Sequence, residues 1–296
     1  MIIFVELTLF ICMSEKKYLI LRDNGHIYGV SALILKQIMD LKAIYRLRIF
    51  SLEDVMDALS VTKSSAAKLL QRLRDKGIVQ HIRKNLYTAI DLASGQPLVD
   101  KYEVGSSLSP TSYIGWHTAL EFHGLAHQVF YNAYVGSESR FNRFTFGGTE
   151  FEHCVATITA DALSGVITPT HSPHVRVTDL ERTFVDCCDR LDRSGGTGEL
   201  VQCFEGILML NEDKLRGYLQ LYDKAFLYQK TGFMLERIQA QAHITDELIG
   251  FCRKQAGNSV KRLTNASDST HYVSRWKLYV PDDLMTTVNN NDYAII

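Results

Sequence analysis

The chain has 296 residues, 46% of them hydrophobic and 22% charged, with 19 glycines against 5 prolines, which is ordinary globular usage and excludes collagen-like, low-complexity and largely disordered classes. The length allows two domains at roughly 100–200 residues each, and the formal net charge of −1 argues against a polyanionic partner only if it is spread evenly. It is not spread evenly: residues 61–90 carry seven Lys or Arg and one acid, a balance of +6, which leaves −7 for the rest of the chain.

The first residues, MIIFVELTLFIC, have no basic leader, are interrupted by Glu6 and precede no small-residue cleavage site. They read as a first strand, or as residues upstream of an alternative start at Met13, and not as a signal sequence. No window reaches the roughly 18 apolar residues of a membrane span, so a soluble protein is expected. The cysteines Cys12, Cys154, Cys187, Cys188, Cys203 and Cys252 form no CxxC pair. They read as reduced thiols of a cytoplasmic protein, without a metal site.

From Ser31 to Tyr45, Leu35, Ile38, Met39 and Leu41 recur near helical spacing, and the stretch LRIF ending at Phe50 adds a short strand. Ser51 reads as an N-cap with Asp54 at the third helical position, and Leu52, Val55, Met56 and Leu59 line one face. After a tight junction at Ser60, Val61 and Thr62, the residues Ala66, Leu69, Leu70 and Leu73 repeat that pattern up to Gly77, which can stop a helix in the left-handed conformation. Two short helices joined by a three-residue turn predict a helix-turn-helix. Ile78, Val79, Ile82, Leu86 and Tyr87 then surround the polar tip Arg83-Lys84-Asn85 and predict a β-hairpin, or wing, with Asn85 tolerating the positive φ of the bend.

The stretch from Asp91 to Ser109, rich in Ser, Gly and Pro and without an apolar face, marks a boundary between domains at about 16–95 and 105–296. TSYIGWHTALEFHGL then reads as helical from Gly115, and QVFYNAYV, RFTFGG and FEHCVATI read as strands. VRVTDLERTFVDCCDRL passes from strand into a helix capped at Thr178 or Asp179. The segments ELVQCFEGILML, DKLRGYLQLY, FMLERIQ and DELIGFCRK read as helices, and HYVSRWKLYVP as a strand. The expected fold class is α+β: an N-terminal winged helix-turn-helix domain followed by a larger mixed α/β domain.

Opposite the apolar stripe of the second helix stand Ser64, Ser65, Lys68, Gln71, Arg72 and Asp75. Short hydroxyls in the first turn with cations behind them suit a helix whose N-terminal turn approaches base edges while Lys and Arg reach phosphates. Arg83 and Lys84 at the wing tip would add salt-dependent contacts to the backbone or minor groove. A winged helix also serves as a protein-docking module, and that reading stays open beside DNA binding.

Enzyme readings are weaker. The spacing of His117 and His123 keeps them off one helical face, His153-Cys154 lacks a second ligand pair, and His171 and His174 have no nucleophile nearby. Gly147-Gly148 and Ser194-Gly195-Gly196 lack the Lys and Ser/Thr of a phosphate-binding loop and read as turns. Asp179, Glu181, Asp186, Asp189 and Asp192 crowd one segment, yet Arg182, Arg190 and Arg193 follow at i+3 and i+4, the pattern of a salt-bridged surface. No catalytic residue, cofactor or metal is therefore expected.

Four strings in order, LLQRLRDKGIVQHIRKNLYTA, YIGWHTALEFHGL, VRVTDLERTFVDCCDR and RWKLYVP, resemble the AbiEi-type antitoxin family of toxin-antitoxin systems over about residues 30–285. The resemblance implies a larger C-terminal antitoxin domain behind the winged helix. It implies a repressor of its own operon that binds double-stranded promoter DNA with inverted repeats, self-associates cooperatively there, and counteracts a co-encoded nucleotidyltransferase-like toxin. On this chain the DNA-reading role falls to Lys63, Ser64, Ser65, Lys68 and Arg72, and the wing role to Arg83, Lys84 and Tyr87. The chain departs from the family at the wing bend, where Gly is frequent and Asn85 stands here. The residues before about Lys16 also lie outside the pattern. The alternative function is a winged-helix interaction or effector-sensing regulator without a toxin partner.

Overall fold

The computed structural model describes residues 18–23, 26–155, 161–264, 269–282 and 284, so the apolar N-terminal stretch expected as a first strand or upstream extension lies outside the described residues. The chain divides into two units, Met1–Asp100 and Lys101–Ile296.

The first unit begins with an antiparallel hairpin of β1 (Tyr18–Asp23) and β2 (His26–Ser31), followed by α1 (Ala32–Leu47) and β3 (Ile49–Phe50). Then come α2 (Leu52–Leu59), α3 (Lys63–Asp75), β4 (Val79–Arg83) and β5 (Leu86–Ala89). Strand β5 lies between β3 and β4, antiparallel to both. This order, a helix and short strand, two helices and a hairpin closing a three-stranded sheet, is the topology of a winged helix.

Local chemistry accounts for its joints. Ser51 and Asp54 form the reciprocal capping box at the start of α2, which satisfies two of the otherwise orphaned N–H groups. Ser60 takes a left-handed conformation to end α2, and the Thr62 side chain caps α3 by accepting from the Ser65 N–H. Gly77 follows α3 at φ +68°, a region open to a residue without a Cβ. Ile44, Phe50, Val55, Ala66, Leu70, Leu73 and Val79 bury together, each larger side chain contributing about 1.5–3 kcal/mol. The sequence expectation differs in α1, where Ile38 and Met39 are exposed and Ile44 supplies the buried contact instead. Of the residues at helical spacing, Leu41 packs against this core, and periodicity alone does not say which side the rest of the unit covers.

The second unit opens with α4 (Lys101–Ser106), and the division between the units falls inside the Asp91–Ser109 stretch. Its last residues are buried, and a Cβ on Gly105 would stand 2.5 Å from Ile114 Cδ1, so close packing rather than propensity holds this one-turn helix. Next come β6 (Tyr113–Ile114), α5 (Trp116–Phe122), β7 (Asn132–Gly136), β8 (Phe144–Phe146), β9 (Thr149–Cys154), β10 (Val166–Ile167) and β11 (Val177–Thr178). These strands form one sheet in the order β10-β11-β6-β7-β9-β8, with the β11–β6 and β7–β9 pairs parallel.

Helices α6 (Leu180–Asp189), α7 (Thr197–Glu205), α8 (Glu212–Tyr222), α9 (Ala225–Arg237) and α10 (Asp246–Gln255) follow. Their apolar faces join Trp116, Cys154 and Trp276 in one large core. The final strands, β12 (Lys261–Arg262), β13 (Ser269–Val273) and β14 (Leu278–Pro281), form a three-stranded sheet.

Two further expectations change here. The helix read through ILML ends at Glu205, because Gly206 caps it; Ile207 and Leu210 are buried while Leu208 and Met209 are exposed. The single strand read at HYVSRWKLYVP is an antiparallel hairpin turning at Ser274–Lys277. The expected glycine turns are present, with Gly147, Gly148, Gly195 and Gly196 all at positive φ. The architecture is α+β throughout.

Candidate nucleic-acid interface

On α3, burial of Ala66, Leu70 and Leu73 turns the opposite side of the helix to solvent. Ser64, Ser65, Lys68 and Arg72 are all exposed there, and Lys68 lies one turn beyond Ser64 and one turn before Arg72. Ser65 is also engaged in the cap: the Thr62 hydroxyl donates to its Oγ at 3.0 Å, which leaves the Ser65 proton free to be donated outward. Lys63 is exposed, but at 3.6 residues per turn it falls on the flank beside α2 rather than among the other four. Its charge acts there on Glu53.

The wing is tied down by its own bend. Asn85 adopts φ +57°, accepts at Oδ1 from the Leu52 N–H at 3.1 Å and donates from Nδ2 to Glu53 Oε2 at 2.6 Å. That hydrogen bond is the main cause holding the Glu53 carboxyl below its usual range. Asn85 therefore holds the left-handed bend and tethers the wing to the start of α2.

Lys84 is exposed at the tip, whereas Arg83 and Tyr87 are half-buried. Tyr87 stacks on Phe50 with ring centroids 6.3 Å apart and meets His81 edge-on at 5.2 Å. Its ring buttresses the hairpin against the core, so the tip is left to Lys84. A shallow groove beside α3 is lined by Leu52, Ala67, Leu70, Gln71, Arg74, Asp75 and Tyr87. Arg74, four residues after Leu70, stands exposed at the edge of the buried face and lines this groove.

Charge sets the direction from which a polyanion can approach. Among the described residues, Lys68, Arg72, Arg74, Lys76 and Lys84 take part in no ion pair, and their solvated charges are free for an external partner. The exposed side of α2 carries Glu53, Asp54 and Asp57. Residues 48–90 as a whole hold eight basic and four acidic residues, a balance of +4. An approach along α3 and the hairpin tip meets the excess, and an approach over α2 meets repulsion.

The acidic run of the second unit is not the surface that its spacing predicts. Residues Glu181–Cys188 of α6 are buried, including Arg182 and Asp186. Asp179 caps the helix by accepting from the Arg182 N–H at 2.9 Å, and its second oxygen accepts from Lys214 at 3.0 Å and Tyr218 at 2.8 Å. Arg182 Nη2 donates to Tyr113 Oη at 2.7 Å, and its Nε lies 3.5 Å from Asp186 Oδ2. Burial pushes the Asp186 carboxyl up to about 7. Asp189 pairs with Lys224 at 2.8 Å, and Arg190 with Asp192 at 2.7 Å. The expected i, i+4 partners are largely replaced by residues from α8 and α9, because helix packing encloses this face. Glu181 accepts from the Asn211 N–H at 2.9 Å and lies 3.7 Å from Lys214, which it shares with Asp179.

The histidines read as isolated do not all stay so. His117 is buried beside Glu199 and Cys203, a grouping that 82 residues of separation hid from any spacing rule. His123 Nε2 meets the Thr178 carbonyl at 2.8 Å, and His153 Nε2 meets the Ser137 carbonyl at 3.0 Å, so each is held by the backbone. The described cysteines, Cys154, Cys187, Cys188, Cys203 and Cys252, are free and buried.

Topology thus makes residues 32–90 a winged helix within an α+β chain. No family model and no curated protein matches the sequence. Among solved structures, the chain is similar to the RV2827C protein from Mycobacterium tuberculosis, with a TM-score of 0.59 and 12% identity, covering 86% of this chain and 95% of that one. At that identity the likeness is one of fold. No described helix is long and apolar enough to cross a membrane.

Proposed function

We propose that this chain is a cytoplasmic DNA-binding antitoxin that represses its own operon and counteracts a co-encoded nucleotidyltransferase-like toxin. The observation that carries the DNA-binding part is the set of exposed, unpaired cations on α3 and at the hairpin tip, Lys68, Arg72, Arg74, Lys76 and Lys84, set around the small Ser64 and Ser65. Lys68 and Arg72 neutralise phosphates on either side of a major groove while Ser64 and Ser65 approach base edges. Each phosphate neutralised contributes about 0.9 to the slope of log affinity against log salt. Lys84 reaches the neighbouring backbone. Lys63 contributes from the flank, and Arg83 and Tyr87 hold the hairpin in place. Two copies on inverted half-sites would occlude polymerase, with cooperative self-association on the DNA. The antitoxin part rests on the four sequence strings that resemble that family.

A second reading, a winged helix that docks a protein or a regulator that senses an effector, is favoured by one observation: the exposed acids of α2 repel phosphate. Electrophoretic mobility shifts on the chain's own upstream DNA and on a shuffled sequence separate the two. Repression predicts a complex on the native fragment at least about 1,000-fold tighter than on the shuffled one. Equal affinity for both fragments, or none, together with a co-purifying protein, would favour the docking reading. Growth rescue on co-expression with the product of the adjacent reading frame tests the antitoxin part separately.

A further inference from the structure

Three side chains that the proposed function does not use converge in the second unit. His117 lies on α5, and Glu199 and Cys203 stand one turn apart on α7; all three are buried. One candidate ligand atom from each lies within 4.8 Å of the others. His117 Nε2 is 3.1 Å from Glu199 Oε1, and Cys203 Sγ is 3.4 Å from that same oxygen. The N–H groups of His127 and Gln128 also donate to Oε1, at 3.0 and 3.3 Å. Donors therefore crowd one oxygen, while Glu199 Oε2 and His117 Nδ1 are buried with no hydrogen-bond partner among the described residues. A buried polar atom left in that state costs about 1–3 kcal/mol, more when charged, so both side chains carry unmet polar capacity, although the atoms that face one another are Nε2, Oε1 and Sγ.

We propose that His117, Glu199 and Cys203 form a binding site for a divalent transition-metal ion, and that the donor set selects zinc. Imidazole nitrogen, carboxylate oxygen and thiolate sulfur are the ligand types of this borderline-soft ion. Bonds of about 2.0–2.3 Å meeting at tetrahedral angles leave donors a little over 3 Å apart, close to the 3.1 and 3.4 Å separations found here. A neutral imidazole with one carboxylate and one thiolate brings two negative charges, which cancel those of the ion in a buried setting. Spacing of i, i+4 places Glu199 and Cys203 on one face of α7, and α5 supplies the third donor, so the ion fastens the two helices together. Through Glu199 it also anchors the loop at His127 and Gln128, whose exposed side chains leave a short route to solvent. Metal uptake displaces the thiol proton, so apparent affinity falls as pH falls.

The test uses the full chain, stripped with a chelator and titrated with cobalt(II) as a spectroscopic stand-in for zinc. The expected result is one equivalent bound per chain, with a thiolate-to-cobalt charge-transfer band that zinc abolishes. Cys203→Ser should remove the band and weaken binding by more than about 100-fold, beyond the effect of losing an outer-shell partner. Cys188→Ala, a buried thiol outside the cluster, should leave both unchanged. A wild-type chain that binds no metal and shows no band overturns the proposal, as does a band that persists in Cys203→Ser. If Cys203→Ser does not fold, the comparison of wild type with Cys188→Ala decides: a band lost in Cys188→Ala contradicts the site, and a band retained there supports it.

Discussion

The two units treat their cations differently. On α3 and the hairpin tip, Lys68, Arg72, Arg74, Lys76 and Lys84 point into solvent without an ion-pair partner among the described residues. In the second unit, Lys101 is 2.6 Å from Glu121, Lys214 is 3.0 Å from Asp179, Lys224 is 2.8 Å from Asp189, and Arg182 is enclosed with Asp186. Of these cations, only Arg182 is fully buried, and Lys214 and Lys224 are about half exposed; a charge that is both paired and buried fixes a structure. Charge that is unpaired and solvated stabilises the fold very little and is available to another molecule. The contrast predicts that substitution of the enclosed Arg182 acts on stability and that substitutions of the free cations on α3 act on binding.

The largest effect falls on the buried pair. Arg182→Ala removes the buried guanidinium together with its bonds to Tyr113 and to the Ala162 and Ser164 carbonyls, and leaves these acceptors enclosed without a donor. We expect a loss of about 3–5 kcal/mol in denaturant unfolding of the second unit, whereas Lys68→Ala should change stability by less than about 0.5 kcal/mol. Equal losses in the two variants would erase the contrast.

Proton linkage sharpens it further. Burial raises the Asp186 carboxyl to about 7, above an unfolded value near 4, so the folded state binds this proton more tightly. Its contribution to stability is complete below the unfolded value and is lost as pH rises through about 7. The melting temperature of the second unit should therefore climb as pH is lowered from about 8 toward 5, and Asp186→Asn should flatten that slope. A slope of the opposite sign, or one unchanged in the variant, would remove Asp186 as its source.

The smallest effect concerns the wing. Asn85→Gly retains the left-handed bend but loses the bonds to Leu52 and Glu53. The expected cost is about 0.5–1.5 kcal/mol, with faster amide exchange at the Leu52 N–H in the variant. Unaltered exchange there would show that the tether does not hold in solution.

What the sequence made legible was local. The Ser51–Asp54 capping box, the stop at Gly77 and the bend at Asn85 depend on residues at most a few positions apart, and each formed as read. The candidate interface was legible for the same reason, since helical period alone places Ser64, Ser65, Lys68 and Arg72 opposite Leu70 and Leu73. Features set by distant packing were not. Ile38 and Met39 fit a helical stripe and yet face solvent, the one-turn helix α4 exists because Gly105 packs on Ile114, and the Asp and Arg of α6 are enclosed by α8 and α9. His117 and Glu199 meet across 82 residues, and no spacing rule within one element reaches that far.

The central claim, that the free cations of α3 and the wing serve a nucleic-acid backbone, is tested most directly by binding of the chain's own upstream duplex over a range of salt. Wild type should show a steep negative slope of log affinity against log salt, and the Lys68→Ala, Arg72→Ala double variant should lose about two units of that slope while folding normally. Wild-type affinity and slope in the double variant would contradict the account.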